Sequence, residues 1–509
     1  MALVELIKLP EPTLLFGHGQ SVEDPRDGLS LFGPLDQGRL YGVRAGVIGT
    51  EKGIRIYKEW VKRISLPIID LDNEGNLKKT RPVFPGFKAA FGIEWSISPF
   101  QTIVIPDGEI EKSAFLDDPH QRVYKTVDVF AERIKKSIDT EDQNPDIWFV
   151  IIPELVYENC RPLSKIKKDL QVEAKTKMSP SRAKSTDAAP FLFVEEEEDA
   201  IPYRFELNFH NQLKARLLEK RALTQVLRET TMAPHEFLNQ FGYPSRSLDD
   251  PSTVAWNIST AVYYKVGGRP WKLNDIRDGV CYIGLVFKQD ESHSDTRQAC
   301  CAAQMFLDSG DGVVFKGNVG PWYNPKKGDY HLSESAAKEL VGKAIDAYKE
   351  KFDVAPTELF IHGKISYSAE EWRGFKSAVD VTKTNLVGVK IYGENHFKLF
   401  RKETRPVLRG LAHIQGEWIS HLWTKGFIPR LQTYPGRAVP KPLLIQICRG
   451  QANMTQVLHD IFALTKLNYN SCIFADGQPV TLKFADAVGE ILTAGPLSDY
   501  PPLPFKYYI

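Results

Sequence analysis

Residues 145–154 read PDIWFVIIPE, a short apolar run rich in β-branched and aromatic residues. Such a run predicts a buried strand. Helical periodicity precedes it over 121–138, and a second helical pattern follows in NFHNQLKARLLEKRALTQVLRETTM (208–232), where Leu213, Leu217 and Leu218 recur at helical spacing. Helix and strand therefore alternate across residues 121–240, as in a Rossmann-like domain. Residues 171–200, QVEAKTKMSPSRAKSTDAAPFLFVEEEEDA, are poor in apolar side chains until Phe191 and read as a mobile insertion whose Glu195–Asp199 run is solvated. Nearer the start, DPRDGLSLFGP (24–34) is dense in Pro and Gly and reads as consecutive turns.

Within 208–232, His210 and Lys214 are four residues apart, one turn along the same face, and they flank the leucine stripe. Thr224 reads as the N-cap of a second helix opening at Gln225. A helix N-terminus with a lysine and a histidine beside it makes an anion site; a solvated basic face is the alternative.

The second half opens with STVAWNISTAVYYKVGGRPWKL (252–273) and the hydrophobic strand CYIGLVFK (281–288). Two further strands, QACCAAQMFL and DGVVFKGNVGPWY, are expected to run antiparallel, because their connections are too short for a crossover helix. A long helix over 333–352 repeats apolar residues at Leu340, Val341, Ala344, Ile345, Tyr348 and Phe352. The strand TELFIHG (357–363) comes next, then a helix opened by a capping box from Ser368 to Glu371. Strands NLVGVKIYG (385–393) and PLLIQICRG (442–450) and a helix from Asn453 to Leu467 complete the pattern. Antiparallel strands first, then strands alternating with helices, is the order of a ribonuclease-H-like sheet. The expectation is an α/β chain: a lead and Rossmann-like domain over 1–265, then a ribonuclease-H-like domain with a mixed sheet over 266–509.

The chain has 509 residues, 42% apolar and 25% charged, enough for two to four ordinary domains or two large ones, each with a full core. No run of eighteen apolar residues could span a bilayer, and MALVELIKLPEP carries Glu5 and Lys8 with no small-residue cleavage site, so neither a membrane span nor a secretory signal is expected. The six cysteines show no metal-binding spacing, which fits a reducing cytoplasm. A net charge of +1 argues against a basic coat over the whole surface, so any polyanion site must be a local channel. Local sources are Lys272 with Arg269, the run His396, Lys398, Arg401, Lys402, Arg405 and Arg409, and the pair Lys425 and Arg430; each taken singly is equally a solvated face. No Walker loop, HExxH or GxSxG motif is present, and His18 in FGHGQ is a lone turn histidine.

Taken together, PDIWFVIIPE, the spaced His210, Lys214 and Gln225, WNISTAVYYKVGGRPW, CYIGLVF, TELFIHGK, PVTLKFADAVGEIL and the ending KYYI resemble a short prokaryotic Argonaute, the type reduced to MID and PIWI domains. The resemblance covers nearly the whole chain. It implies a MID pocket for the 5′-phosphate of a guide strand at His210, Lys214, Gln225 and Lys265, with Gly267 and Gly268 letting backbone approach the ligand. Lys265 by itself would read as an exposed lysine beside a turn. The resemblance further implies that the carboxylate of Ile509 reaches this pocket and helps hold a Mg²⁺ shared with the guide phosphate; the aromatic ending is expected to be packed into the protein.

A slicing PIWI domain needs several carboxylates converging on paired divalent ions. The corresponding positions here are Val286, Gly363 and Asp486, and one carboxylate cannot hold two metals; Asp486 alone would read as an acid complementing a helix N-terminus. The resemblance thus implies a nuclease-inactive protein that recognises a complementary single-stranded DNA target through a guide RNA (or DNA). It also implies a partner carrying an APAZ domain fused to an effector, a NAD-degrading TIR domain rather than a sirtuin-type or nuclease domain, acting in prokaryotic immunity and assembling into a higher oligomer on target binding. The competing reading is a guide-directed nuclease with unusual metal ligands, for which Asp290 and Glu291, just past the first strand, are the nearest acids.

Overall fold

The computed structural model describes residues 5–69, 83–188, 194–274, 277–289, 299–306, 312–316, 322–324, 329–402, 404–434, 436, 438–496 and 503–509. The chain opens with strand β1 (Glu5–Lys8) and helix α1 (Pro25–Phe32). Residues 24–34 therefore hold a helix where turns were expected: the Asp24 side chain accepts from the Arg26 backbone N–H and Pro25 occupies the first helical position, where a missing N–H costs nothing.

A four-stranded parallel sheet follows, built from β2 (Ala45–Gly49), helix α2 (Glu51–Ile64), β3 (Gln101–Val104), helix α3 (Pro119–Thr140), β4 (Ile147–Ile152), helices α4 (Pro180–Ala188) and α5 (Phe209–Leu217), and β5 (Thr224–Arg228). Its order is β3-β2-β4-β5. Every residue of β4 is buried, as the unbroken apolar run requires. The expected helix at Gln225 is instead β5, which lies parallel to β4 with Phe149 opposite Gln225. Ladder bonds and burial beside β4 outweigh the local capping signal of Thr224. Residues 171–200, expected to lack elements, carry α4 and a further helical turn at Glu197–Ala200, tied by Arg182 to Glu196 at 2.7 Å; Phe191 lies outside the described residues.

Helix α6 (Pro251–Lys265) links this sheet to the second, made of β6 (Val280–Gln289), β7 (Ala299–Phe306), β8 (Gly312–Lys316), helix α7 (Glu334–Phe352), β9 (Glu358–Gly363), helix α8 (Ala369–Val379), β10 (Asn385–Gly393), β11 (Leu411–Gln415), β12 (Ile419–Trp423) and β13 (Leu443–Arg449). Helices α9 (Met454–Leu464) and α10 (Val480–Leu492) close the chain. The nine-stranded order is β1-β11-β12-β13-β10-β9-β6-β7-β8, so the edge strand comes from the start of the chain. β6, β9 and β10 run parallel and the other pairs antiparallel, which makes the sheet mixed; β7 and β8 are antiparallel as their short connections require. The Ser368–Glu371 capping box forms in both directions, and Glu371 also receives Leu332 N–H at 2.8 Å and meets His331 at 2.7 Å. α9 stops at Leu464, short of the expected Leu467. None of the described helices is long and apolar enough to cross a membrane.

Helices α7 and α8 cover one face of the large sheet, and α9 and α10 cover the other. The fit of α10 on β6 turns on Gly284. A Cβ there would lie 1.8 Å from the carbonyl oxygen of Thr481 and 2.5 Å from its carbonyl carbon, backbone atoms that no rotamer change can move. Beside them, His362 Nδ1 meets Thr481 Oγ1 at 3.0 Å in a fully buried contact. Gly284→Ala is therefore expected to cost about 3 kcal/mol, the upper end for overpacking. Gly393→Ala in the same sheet meets no atom within 4 Å and should stay within about 0.5 kcal/mol of the parent; urea denaturation of the two variants checks the contrast.

Candidate functional site

Three elements bring the expected phosphate ligands together. Asn208 caps α5 by accepting from the Asn211 N–H, and one turn separates His210 from Lys214 on that helix. The chain then re-enters the parallel sheet so that Thr224 and Gln225 are the first residues of β5, and α6 delivers Lys265 as its last residue. Lys265 Nζ donates to the Thr224 carbonyl at 3.0 Å and to Gln225 Oε1 at 2.7 Å. Lys214 Nζ donates to the same carbonyl at 3.5 Å and to the backbone oxygen of Ile509, 295 residues away. His210 Nδ1 lies 3.1 Å from Asn211 Oδ1. The structure thus gathers all four residues and Ile509 into one site. With Gln225 on a strand, the positive potential comes from side chains, and no helix N-terminus stands at that residue.

The site is short of negative charge. Lys214 is 2% exposed and Lys265 1%, so neither is the surface lysine that Lys265 alone suggested, and among the described residues neither has a carboxylate side chain within ion-pair distance. Burial lowers Lys214 to about 7 and, joined by the charge on Lys214, pulls Lys265 well below its ordinary value. Packed protein around the ring, then Lys214, hold His210 below the usual imidazole range. Two ammonium groups that share one carbonyl and have no side-chain carboxylate beside them among the described residues favour an anion between them.

The last residues wall the pocket. Phe505, Tyr508 and Ile509 are buried, and the Phe505 ring sits 4.2 Å from that of Phe484 on α10, so the end of the sequence is packed as expected. The Ile509 oxygen is a hard donor of the kind Mg²⁺ takes, and the ammonium of Lys214 stands beside it here. The shared Thr224 carbonyl and this Lys214–Ile509 contact carry no local sequence signal.

The second set of positions lies at one end of the large sheet. Val286 on β6 is 5% exposed, and Gly363, the last residue of β9, is in register with Leu285. Asp486 sits in the middle of α10, away from the helix N-terminus where it would complement the dipole. Its Oδ2 accepts from Lys364 Nζ, and its Oδ1 is 3.7 Å from Lys288 Nζ, which also lies 3.3 Å from Glu490. Among the described residues no three His, Cys, Asp or Glu side chains converge to hold a metal; Asp290 and Glu291 lie outside those residues. Of the basic clusters, Arg409 is buried against Glu11 at 3.0 Å, while Arg269 and Arg430 pair with Asp36 and Asp27; residues 396, 398, 401, 402 and 405 are exposed.

No family model and no curated protein matches the chain in sequence. Solved structures do. The Clostridium butyricum Argonaute bound to a guide DNA and a 19-mer target DNA superposes on 96% of this chain with a TM-score of 0.64 at 15% identity. The A. aeolicus Argonaute covers 98% with a TM-score of 0.54 at 15% identity, and Drosophila Piwi 99% with 0.57 at 12%. The chain spans about half the length of these proteins: 53%, 54% and 56%. At such identities the likeness establishes architecture, and the fold of this chain is similar to the Argonaute MID–PIWI fold.

Proposed function

We propose that this chain holds the 5′-phosphorylated end of a guide strand among His210, Lys214, Gln225 and Lys265 and presents the guide for pairing with a complementary single strand that it does not cut. The observation that carries the proposal is the pair of buried lysines, 2% and 1% exposed, that share the Thr224 carbonyl and have no carboxylate side chain as partner among the described residues. A terminal phosphate adds negative charge there and accepts from both ammonium groups. For His210 to bond Asn211 through Nδ1 and the phosphate through Nε2, both nitrogens donating, it must be an imidazolium, which a phosphate dianion favours. The Ile509 carboxylate would hold a Mg²⁺ there, whose charge would offset the repulsion between that carboxylate and the phosphate beside Lys214. Sequence is then read by the guide, while protein groups hold backbone and shape.

Support for a non-cutting role comes from Val286 and Gly363, which offer no metal ligand, and from Asp486, whose two oxygens face lysines. A binding module without its own chemistry needs an effector. The resemblance to short Argonautes supplies the reading that this is an APAZ-linked partner with a NAD-degrading TIR domain, working in the cytoplasm in prokaryotic immunity and oligomerising on target recognition.

Three measurements check these readings. Lys214→Ala combined with Lys265→Ala should remove the preference for 5′-phosphate over 5′-hydroxyl guide; each lysine is expected to contribute about 1.5–3 kcal/mol, or tenfold to a hundredfold in Kd, and equal affinities of the parent protein for both guides would refute the pocket. A pH series tests the electrostatics. Because the folded Lys214 titrates near 7 and its ordinary value is 10.5, the unfolded chain binds more protons between those limits. Stability of the ligand-free protein should therefore rise with pH across that window, by up to about 1.4 kcal/mol per unit. The phosphate preference should fall over the same window, and Lys214→Met should reduce both trends, leaving the part that belongs to Lys265. Finally, labelled target incubated with guide and Mg²⁺ or Mn²⁺ should stay intact on a denaturing gel; guide-dependent scission lost in Asp486→Ala would establish the nuclease instead.

A further inference from the structure

We propose that Lys288 and Lys364 form a metal-free clamp on the phosphodiester backbone of the strand paired to the guide, with Asp486 serving as their counter-ion until that strand arrives. The inference rests on the guide-binding reading above and names what occupies the end of the large sheet. Strands β6, β9 and β10 are parallel and in register, so their C-terminal ends open at the same edge. Lys288 lies near the end of β6, Lys364 directly follows β9, and β10 leads into residues 396–405, where His396, Lys398, Arg401, Lys402 and Arg405 are exposed. Two adjacent parallel strands, β6 and β9, thus deliver cations to one edge, while Phe397 in the exposed run packs on His413, His421 and Trp423 of β11 and β12.

Asp486 holds two of these cations. Lys364 donates to one carboxylate oxygen and Lys288 stands 3.7 Å from the other, while Lys288 also faces Glu490 at 3.3 Å. The lysine side chains are 43% and 30% exposed. Exposed lysine–carboxylate pairs of this kind contribute little and exchange partners readily. A phosphodiester entering the edge can replace Asp486 as acceptor for both ammonium groups, at a place where metal ions would otherwise hold the strand. Two ammonium groups neutralise a phosphate but cannot polarise its bridging oxygens as paired divalent ions do, so such a site grips without promoting scission.

The competition with Asp486 sets the test. Full-length protein is loaded with 5′-phosphorylated guide, and binding of a fluorescent complementary strand is followed by anisotropy in EDTA across a salt series. Asp486→Asn should tighten target binding severalfold, because it frees Lys364 and leaves Lys288 with Glu490 as its remaining acid. Lys288→Ala and Lys364→Ala should each weaken it about tenfold and lower the slope of log K against log salt by roughly 0.7–0.9, with guide affinity unchanged. Weaker or unchanged binding in Asp486→Asn, or an unaltered salt slope in both lysine variants, would overturn the clamp. Should the parent protein retain no guide, the pocket reading fails. The same variants titrated with preformed guide–target duplex then decide the clamp by the same signs, and thermal melts matching the parent show that each variant is folded.

Discussion

Burial of two ammonium groups around a single backbone carbonyl is the constraint on which the site depends. Lys214 comes from a helix on one face of the parallel sheet, Lys265 from the helix that leads into the second domain, and their common acceptor, Thr224, opens a sheet strand. Placing either cation there without hydrogen bonds would cost several kcal/mol. The Gln225 amide and the Ile509 oxygen meet that requirement only when helix, strand and chain end are all in position. The pocket is consequently assembled from both halves of the fold, with the Phe505–Phe484 contact fixing the end of the sequence against α10.

The large sheet answers to a different constraint. Gly284 lets α10 lie directly on β6, and the same helix carries Asp486 to the edge where Lys288 and Lys364 emerge. Close helix–sheet packing and the placement of the charged edge are therefore one feature: a helix lifted by a methyl group at Gly284 would also shift the carboxylate that organises the lysines.

Where side-chain pattern and burial agreed, elements could be read residue by residue. NLVGVKIYG is a strand at its expected limits because both faces are covered, and the Ser368–Glu371 box formed because capping is local chemistry. Readings failed where local signals competed with distant ones. Thr224–Arg228 has a capping residue in front, yet β4 offers it a ladder; DPRDGLSLFGP is rich in turn formers, yet Asp24 and Pro25 start a helix well. The spacing of His210 and Lys214 was visible on a helical face, whereas Gln225, Lys265 and Ile509 could be placed only through resemblance to a family. The Lys288–Asp486–Lys364 group and the burial of Arg409 inside an otherwise exposed basic run were not visible at all, since contact partners 122 and 398 residues apart leave no periodicity.

The edge strand β1 pairs Glu5–Lys8 with Leu411–Ile414, and nearby Glu11 meets Arg409 at 3.0 Å and Lys466 at 2.9 Å in a buried ion cluster. During synthesis the opening segment leaves the ribosome long before its partners exist. The parallel sheet, complete once Arg228 has emerged, can fold while β1 still waits with unpaired backbone groups. Closing the nine-stranded sheet is then a late event of high contact order, and Glu11, with Lys8 as its nearby cation, gains its buried partners only when Arg409 and Lys466 arrive.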